Sequence, residues 1–291
     1  MDIGRVGVWT FAFELHPAAK AREAAAIVED LGYGAIWIPE AMGREAFAQS
    51  ALLLAATKRI PVATGIANIW GRDAMAMAGG QKTLCEAWPN RFLLGIGVSH
   101  APLVGMRGHA YDKPLTAMRE YLDAMDSALY NAPLPAETPR IIGALAPKML
   151  ALAAERTDGA HPYFVPPEHT KRARAALGPK KLLAPEQAVV LERDPGVARE
   201  IARAHMQTYL QLPNYVNNLR RLGFADDDIR DGGSDKLVDA IVAWGDVGAV
   251  VDRVRAHHDA GADHVCIQVL PRDATAMPIA EWKTLASALL R

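Results

Sequence analysis

The sequence predicts an α/β chain folded as a (β/α)8 barrel, the TIM-barrel class, with a helical insertion between its seventh and eighth strands. Three observations carry this. Short β-prone runs alternate with longer Ala/Leu-rich runs at helical spacing along the chain. Many of the short runs are apolar throughout, as in parallel strands buried on both faces. The 291 residues accommodate the β/α units of a barrel, which commonly takes about 250 residues or more. A doubly wound open sheet is the alternative. It normally places a Gly-rich turn after its first strand, where this chain has Thr10-Phe11-Ala12-Phe13.

Each element has a local reason. Val6-Gly7-Val8-Trp9 is the first strand, and Ala18 to Leu31 the first helix, with Ala21, Ala24, Ala25, Val28 and Leu31 on one face and Gly32 closing it. Ala35-Ile36-Trp37-Ile38 ends at Pro39, and a helix covers Ala46 to Thr57. The third strand is Pro61 to Ile66, followed by a helix from near Asp73; the fourth is Phe92 to Val98, followed by a loop and a helix from Pro114 to Tyr130. The fifth is Arg140 to Gly143, with a helix opening at Pro147, a residue suited to a first helical position. Gly159 to Val165 is the sixth, Ala188 to Leu191 the seventh, and His264 to Leu270 the eighth, before a helix from Ile279 to Leu290.

One stretch breaks the alternation. Residues 192–263 exceed what one crossover helix needs. They read as helices over Pro195 to Gln211, Tyr215 to Leu222, Asp235 to Trp244 and Val247 to Ala260, forming a lid or wall over the barrel's C-terminal end. Asp226-Asp227-Asp228 with Gly232-Gly233 reads as a connecting loop, because metal-loop spacing is absent. The chain, 1–291, is expected to form a single barrel domain carrying this insertion.

Composition narrows the function. Lys+Arg is 32 and Asp+Glu 33, a net charge of -1, which argues against general nucleic-acid binding. Cys85 and Cys266 stand far apart in apolar runs, so neither a zinc site nor a redox pair is suggested, and no metal is expected. No signal-peptide pattern opens the chain and no stretch of about 18 apolar residues would span a bilayer. A cytoplasmic protein with a small-molecule substrate is expected.

A barrel of this type carries its site where the strands end. This rule selects Glu40 after the second strand, Gly65 to Arg72 after the third, Val98, Ser99 and His100 after the fourth, and Leu145 and Ala146 after the fifth. His100 is the acid/base candidate, because an imidazole exchanges protons near neutrality. Glu40 reads equally as a proton carrier or ligand contact and as an acid favoured by a helix N-terminus. Gly95-x-Gly97 lacks the third glycine of a dinucleotide fingerprint, and Gly97-Val98-Ser99-His100-Ala101 lacks the last glycine of a hydrolase elbow. Small residues there let backbone amides approach a phosphate, with Leu145, Ala146 and Lys148 as further donors.

Taken together, Ala35 to Ala41, Ala63 to Asn68, Arg91 to His100 and Arg156-Thr157-Asp158-Gly159 resemble the luciferase-like monooxygenase superfamily. More narrowly they resemble its coenzyme F420-dependent oxidoreductase branch, as found in actinobacteria. The resemblance implies an oxidoreductase passing a hydride between F420, a deazaflavin, and an unidentified small organic substrate. It implies a non-prolyl cis peptide behind the ring, by position Gly65-Ile66, with Glu40, Gly65, Ile66, Ala67, Asn68 and His100 near the cofactor. The amides of Val98, Ser99, Leu145 and Ala146 would hold its phosphate. His100 stands where hydride-transferring relatives often have Glu, and Ala41 where some have His. Trp9, Phe13 and Trp70 would wall the substrate pocket, unless they simply pack in the core. A homodimer is implied. The competing readings are an FMN-dependent luciferase-like monooxygenase and a non-catalytic deazaflavin-binding protein.

Overall fold

The computed structural model describes residues 1–290. The first half runs β1 (Val6–Trp9), α1 (Ala12–Leu15), α2 (Ala18–Asp30), β2 (Ile36–Ile38), α3 (Ala46–Ala56), β3 (Val62–Thr64), β4 (Ala67–Asn68), α4 (Ala74–Ala87), β5 (Phe92–Gly97), α5 (Ala101–Met106), α6 (Pro114–Asp126) and β6 (Arg140–Ile142). The second half runs α7 (Pro147–Arg156), β7 (Gly159–Ala160), α8 (Pro167–Leu177), β8 (Leu182–Leu183), β9 (Glu186–Val190), α9 (Pro195–Tyr209), α10 (Pro213–Leu222), α11 (Asp226–Ile229), α12 (Asp235–Ile241), β10 (Ala243–Trp244), α13 (Val247–Asp259), β11 (Val265–Val269) and α14 (Ile279–Leu289).

The strands form a curled parallel sheet in the order β10-β9-β11-β1-β2-β3-β5-β6-β7-β8, with β4 on β5. Only Ala184 and Pro185 separate β8 from β9. The Ala184 N–H donates to Ala160 O at 3.0 Å, Glu186 N–H to Pro162 O at 2.9 Å, and Cys266 N–H to Pro185 O at 3.0 Å. Strand β8, at one end of the sheet path, thus runs through a short segment into β9, which pairs with β10 and β11 towards the other end.

Local chemistry sets the helices. Glu45, Asp73, Asp194, Ser234 and Asp246 cap α3, α4, α9, α12 and α13 by accepting an amide N–H of the first turn. The chain leaves α2 through Gly32 at φ +89°, a left-handed conformation that glycine adopts at no steric cost. Outward-facing strand residues such as Val8, Ile36, Val62 and Leu94 pack on the helices, while Trp9, Ala35, Trp37, Ala63, Leu93, Ile141, Ala184 and Cys266 form an inner cluster. That alternation is the period of two a pleated strand imposes.

Several expectations need correction. The sixth strand is only Gly159–Ala160, since Pro162 has no N–H for a ladder and Phe164 takes φ +59°. The seventh begins earlier than Ala188, at Leu182, and Pro185 interrupts it. The third strand breaks after Thr64 and resumes at Ala67. Asp226-Asp227-Asp228 is the first turn of α11 rather than loop; Asp228 accepts from the Ala225 N–H at 3.1 Å and from Ser234 Oγ at 2.9 Å. Trp244 belongs to β10 and not to the preceding helix. The short helices α1 and α5, and α8 after the sixth strand, were not foreseen by periodicity. Among the described residues no helix is long and apolar enough to cross a membrane.

Candidate active site

Where β3 ends, the Gly65–Ile66 peptide is cis, at the position expected. The surroundings leave little freedom. Thr64 Oγ donates to Gly95 O at 2.7 Å and accepts from the Gly95 N–H at 2.9 Å. A Cβ on Gly95 would stand 2.0 Å from Thr64 O. A Cβ on Gly97 would stand 2.6 Å from Ile66 Cγ1, and one on Gly143 3.3 Å from Ile66 Cγ2. The Ile66 side chain thus rests in a cradle that two glycines from neighbouring strands make possible. From β1, Trp9 Nε1 donates to Gly65 O at 3.0 Å.

Glu40, 8% exposed at the end of β2, fixes the next step. Its Oε2 accepts from the Asn68 N–H at 2.7 Å and from Arg72 Nη1 at 3.0 Å; its Oε1 accepts from the Ala46 N–H at 3.1 Å and from Arg72 Nη2. Both oxygens are engaged by protein donors, so Glu40 serves here as a clamp between β2, β4 and α3 rather than as a free proton carrier. Asn68 is fully buried; its Oδ1 accepts from the Trp70 N–H at 2.9 Å, and its Nδ2 has no partner. Trp70 is half-buried at the rim, with Nε1 donating to Val98 O at 3.0 Å.

The next strand ends carry free donors. Among the described residues the amides of Val98, Ser99, Leu145 and Ala146 donate to no protein acceptor. Ser99 takes φ +58°, and Ala146 caps α7 without side-chain help. His169 Nε2 donates to Leu145 O at 3.0 Å and holds that loop. Lys148, offered as an added charge, is exposed on α7. Consecutive unspent amides beside a helix N-terminus suit an anionic oxygen group.

His100 caps α5 with its backbone and is half-buried. Its Nδ1 lies 3.2 Å from Asn214 Oδ1 on α10, and its ring 5.3 Å from Tyr215. Burial holds its pKa below the ordinary 6.5, against the opposing pull of Asn214. The amide oxygen fixes the proton on Nδ1 and leaves Nε2 as the acceptor.

Phe13 is misplaced by the sequence reading. The chain turns into α1 directly after β1, so Phe13 is fully buried in the core against Trp282, ring centres 6.0 Å apart. Trp9, 2% exposed, backs Gly65 and does not wall an open pocket. Five residues went unnoticed: Glu14, Tyr163, Glu186, His205 and Gln268. Glu14 on α1 faces Arg44 and Glu40, and burial pushes its carboxyl up to about 7. Glu186 is 1% exposed inside the sheet's curl; its Oε2 accepts from the Phe164 N–H at 3.1 Å, its Oε1 is unpartnered, and burial pushes it up to about 8. A lone polar residue inside an apolar strand run, as in Glu186-Gln187-Ala188-Val189 or Val265-Cys266-Ile267-Gln268, was the available signal. Among the described residues no group of three or more His, Cys, Asp or Glu is arranged to hold a metal ion.

Comparison with known proteins places this geometry. The model of the luciferase-like monooxygenase family matches residues 4–264. A protein of Mycobacterium tuberculosis assigned to the coenzyme F420-dependent oxidoreductases is 31% identical over 200 residues, 57% of this chain and 56% of that protein. The 5,10-methylenetetrahydromethanopterin reductase of Methanolobus tindarius is 26% identical over 171 residues, 52% of each chain. The matched region thus spans little more than half the length of these relatives. Among solved structures, the F420-dependent tetrahydromethanopterin reductase of Methanopyrus kandleri superposes with a TM-score of 0.79 at 17% identity, covering 100% of this chain and 99% of that one. An F420-dependent secondary alcohol dehydrogenase, solved with an F420-acetone adduct, gives 0.77 at 16% identity over 98% and 99% of the two chains. These likenesses show the fold, an α/β architecture with a curled parallel sheet. Since the family model takes in nearly the whole sequence, the chain belongs to the luciferase-like monooxygenase family.

Proposed function

We propose that this chain is an oxidoreductase that binds coenzyme F420 across its strand ends and moves a hydride between that cofactor and a small organic substrate. The observation that carries the reading is the set of unspent donors around Ile66: the buried, unpartnered Nδ2 of Asn68 and the free amides of Val98, Ser99, Leu145 and Ala146. They fit a flat polar ring and a phosphate held on opposite sides of one rim. The Mycobacterium tuberculosis relative and the two solved structures above, each named for F420, favour the deazaflavin over FMN. The finer architecture belongs to the same proposal: one domain over 1–291, a closed (β/α)8 barrel joined at Ala184-Pro185, with 192–263 inserted before the last strand.

When bound, the deazaflavin supplies a carbon centre that gives or accepts a hydride. The chain's own groups do the rest. Ile66, steadied over Gly97 and Gly143, would present a rigid apolar edge to the bound ring. Glu40, pinned by Arg72, holds the Asn68 backbone, and the buried Asn68 Nδ2 keeps its protons for the ring. Trp70 limits the rim on the β4 side. His100, neutral with Nδ1 committed to Asn214, accepts at Nε2 the proton that a substrate hydroxyl loses as its carbon gives up hydride.

Spectral titration with F420 and with FMN tests this. The expected result is saturable F420 binding that Asn68→Leu weakens at least tenfold. Tight FMN binding with no affinity for F420 would reverse the cofactor assignment. An active holoenzyme indifferent to His100→Ala would remove the proton role, and F420 binding without turnover of any redox substrate would favour a non-catalytic carrier.

A further inference from the structure

A cavity of about 260 Å3 opens between the C-terminal ends of β1 and β11 and the underside of α9. Its apolar wall includes Phe11, Ile201 and Leu270; its polar side chains are Gln268, His205 and Thr10, whose Oγ accepts from the Ala12 N–H at 2.9 Å, with exposed Arg272 at the lip. It exceeds the roughly 150 Å3 that admits benzene in a dry protein cavity.

Gln268 is 5% exposed, and its orientation is set from behind. The Tyr163 hydroxyl donates to Gln268 Oε1 at 2.7 Å. That hydroxyl has a single proton, so its 2.8 Å contact with Tyr209 leaves Tyr209 as the donor there. With the amide oxygen committed, the two protons on Nε2 are unspent; no bond from this nitrogen occurs among the described residues. Across the cavity, His205 Nε2 is buried without a partner. Its ring lies 5.0 Å from that of Tyr209 and 6.3 Å from that of Phe164. Burial lowers its pKa to about 4, so the imidazole is neutral at ordinary pH. The cavity wall therefore offers the amide donor of Gln268, a neutral imidazole and no buried cation. Such groups satisfy a carbonyl or hydroxyl oxygen, but would not repay the desolvation of a carboxylate or phosphate.

We infer that this cavity is the substrate subsite, and that Gln268 and His205 select a compact, uncharged, oxygen-bearing apolar molecule. Only packed side chains separate it from the cis peptide: Tyr163, which bonds Gln268, lies 5.1 Å from Trp9, and Trp9 Nε1 bonds Gly65 O. The assignment of the ligand as substrate rests on the oxidoreductase reading above; the binding specificity does not.

The test uses the full chain without added cofactor and three matched bicyclic probes: 1-indanone, indane and indane-1-carboxylate, titrated by calorimetry. The expected result is saturable 1-indanone binding, with indane and the carboxylate each at least tenfold weaker. Gln268→Leu should reduce 1-indanone to the level of indane. Because that change also removes the acceptor of Tyr163, His205→Phe provides an independent variant from the opposite wall and should weaken 1-indanone at least fivefold. Equal binding of indane, tighter binding of the carboxylate, or wild-type 1-indanone affinity in both variants would overturn the inference. F420 titration of the same samples separates the two readings. Gln268-dependent 1-indanone binding without F420 binding would overturn the cofactor proposal alone, and F420 binding without 1-indanone binding would overturn the subsite alone.

Discussion

Replacing Gly97 by Ala probes the cradle under Ile66. The new Cβ would lie 2.6 Å from Ile66 Cγ1 and 2.7 Å from Cδ1. Carbon atoms pack at about 3.5–4.0 Å, so the tip of Ile66 must retreat by about 1 Å. On the Gly143 side little room exists, since an added Cβ there would already meet Cγ2 at 3.3 Å. Overpacking of this kind costs about 1–3 kcal/mol. Ile66→Ala removes both clashing atoms and itself costs a few kcal/mol at most, being only partly buried. The double variant should therefore be less destabilised than the sum of the singles by about 1–2 kcal/mol. Urea unfolding of the four proteins measures this cycle, and F420 titration should show Gly97→Ala weakened and the double variant partly restored. Gly95→Ala is the control without relief, since its Cβ would meet the Thr64 carbonyl at 2.0 Å. Additivity within about 0.5 kcal/mol, or a Gly97→Ala protein as stable as the parent, would refute the packing argument.

Other perturbations follow from the same geometry. Glu186 has its carboxyl raised to about 8 from 4.5, so the folded chain keeps a proton that the unfolded chain releases, and its contribution to stability falls as pH rises through that window. Glu186→Gln should gain on the wild type by about 4 kcal/mol between pH 5 and 8.5 in urea melts; parallel pH profiles would contradict this. Arg72→Gln leaves the buried Glu40 carboxylate without its cation and should cost about 3–5 kcal/mol, with Glu40→Gln in the same chain recovering part of the loss; an unchanged urea midpoint would show the pair to be dispensable. For His100, kcat/KM in the direction that oxidises substrate should be flat near neutrality and fall only below pH 6.5, because the lowered pKa keeps the ring neutral. His100→Ala should lower kcat by about a hundredfold or more, abolish that acid limb and leave F420 affinity within twofold; retention of the limb would assign it to another group.

Much of the frame was legible because it is written locally. Apolar runs such as Phe92 to Gly97 have no alternative to a strand buried on both faces, and Asp73, Asp194 and Asp246 announce helix starts. The rim positions followed once the strand ends were placed, which is why Asn68, Val98, Ser99, Leu145 and Ala146 emerge with unspent donors. Pro162 and Pro185 hid the short sixth strand and the split seventh, since each removes the ladder donor that defines a strand. Phe13 failed for a related reason: an aromatic two residues beyond Phe11 looks like strand continuation, but α1 turns it towards Trp282. The group around Gln268 was out of reach of any local pattern. Tyr163, His205, Tyr209 and Gln268 span more than one hundred residues of sequence (|i−j| of 105 for Tyr163 and Gln268) and meet only when the sheet curls and α9 covers it. Glu40 could be placed at a strand end from sequence, but the Arg72 and Asn68 donors that occupy it became visible only in three dimensions.

The proposed function requires that the strand ends form one seat for a flat cofactor. A crystal structure of the chain soaked with F420 measures it directly. The account predicts the ring against Ile66 with Asn68 Nδ2 bonded to it, and the phosphate within about 3 Å of the amides of Ser99, Leu145 or Ala146. A ring bound away from Gly65–Ile66, or a phosphate held by side chains on another face, would contradict it.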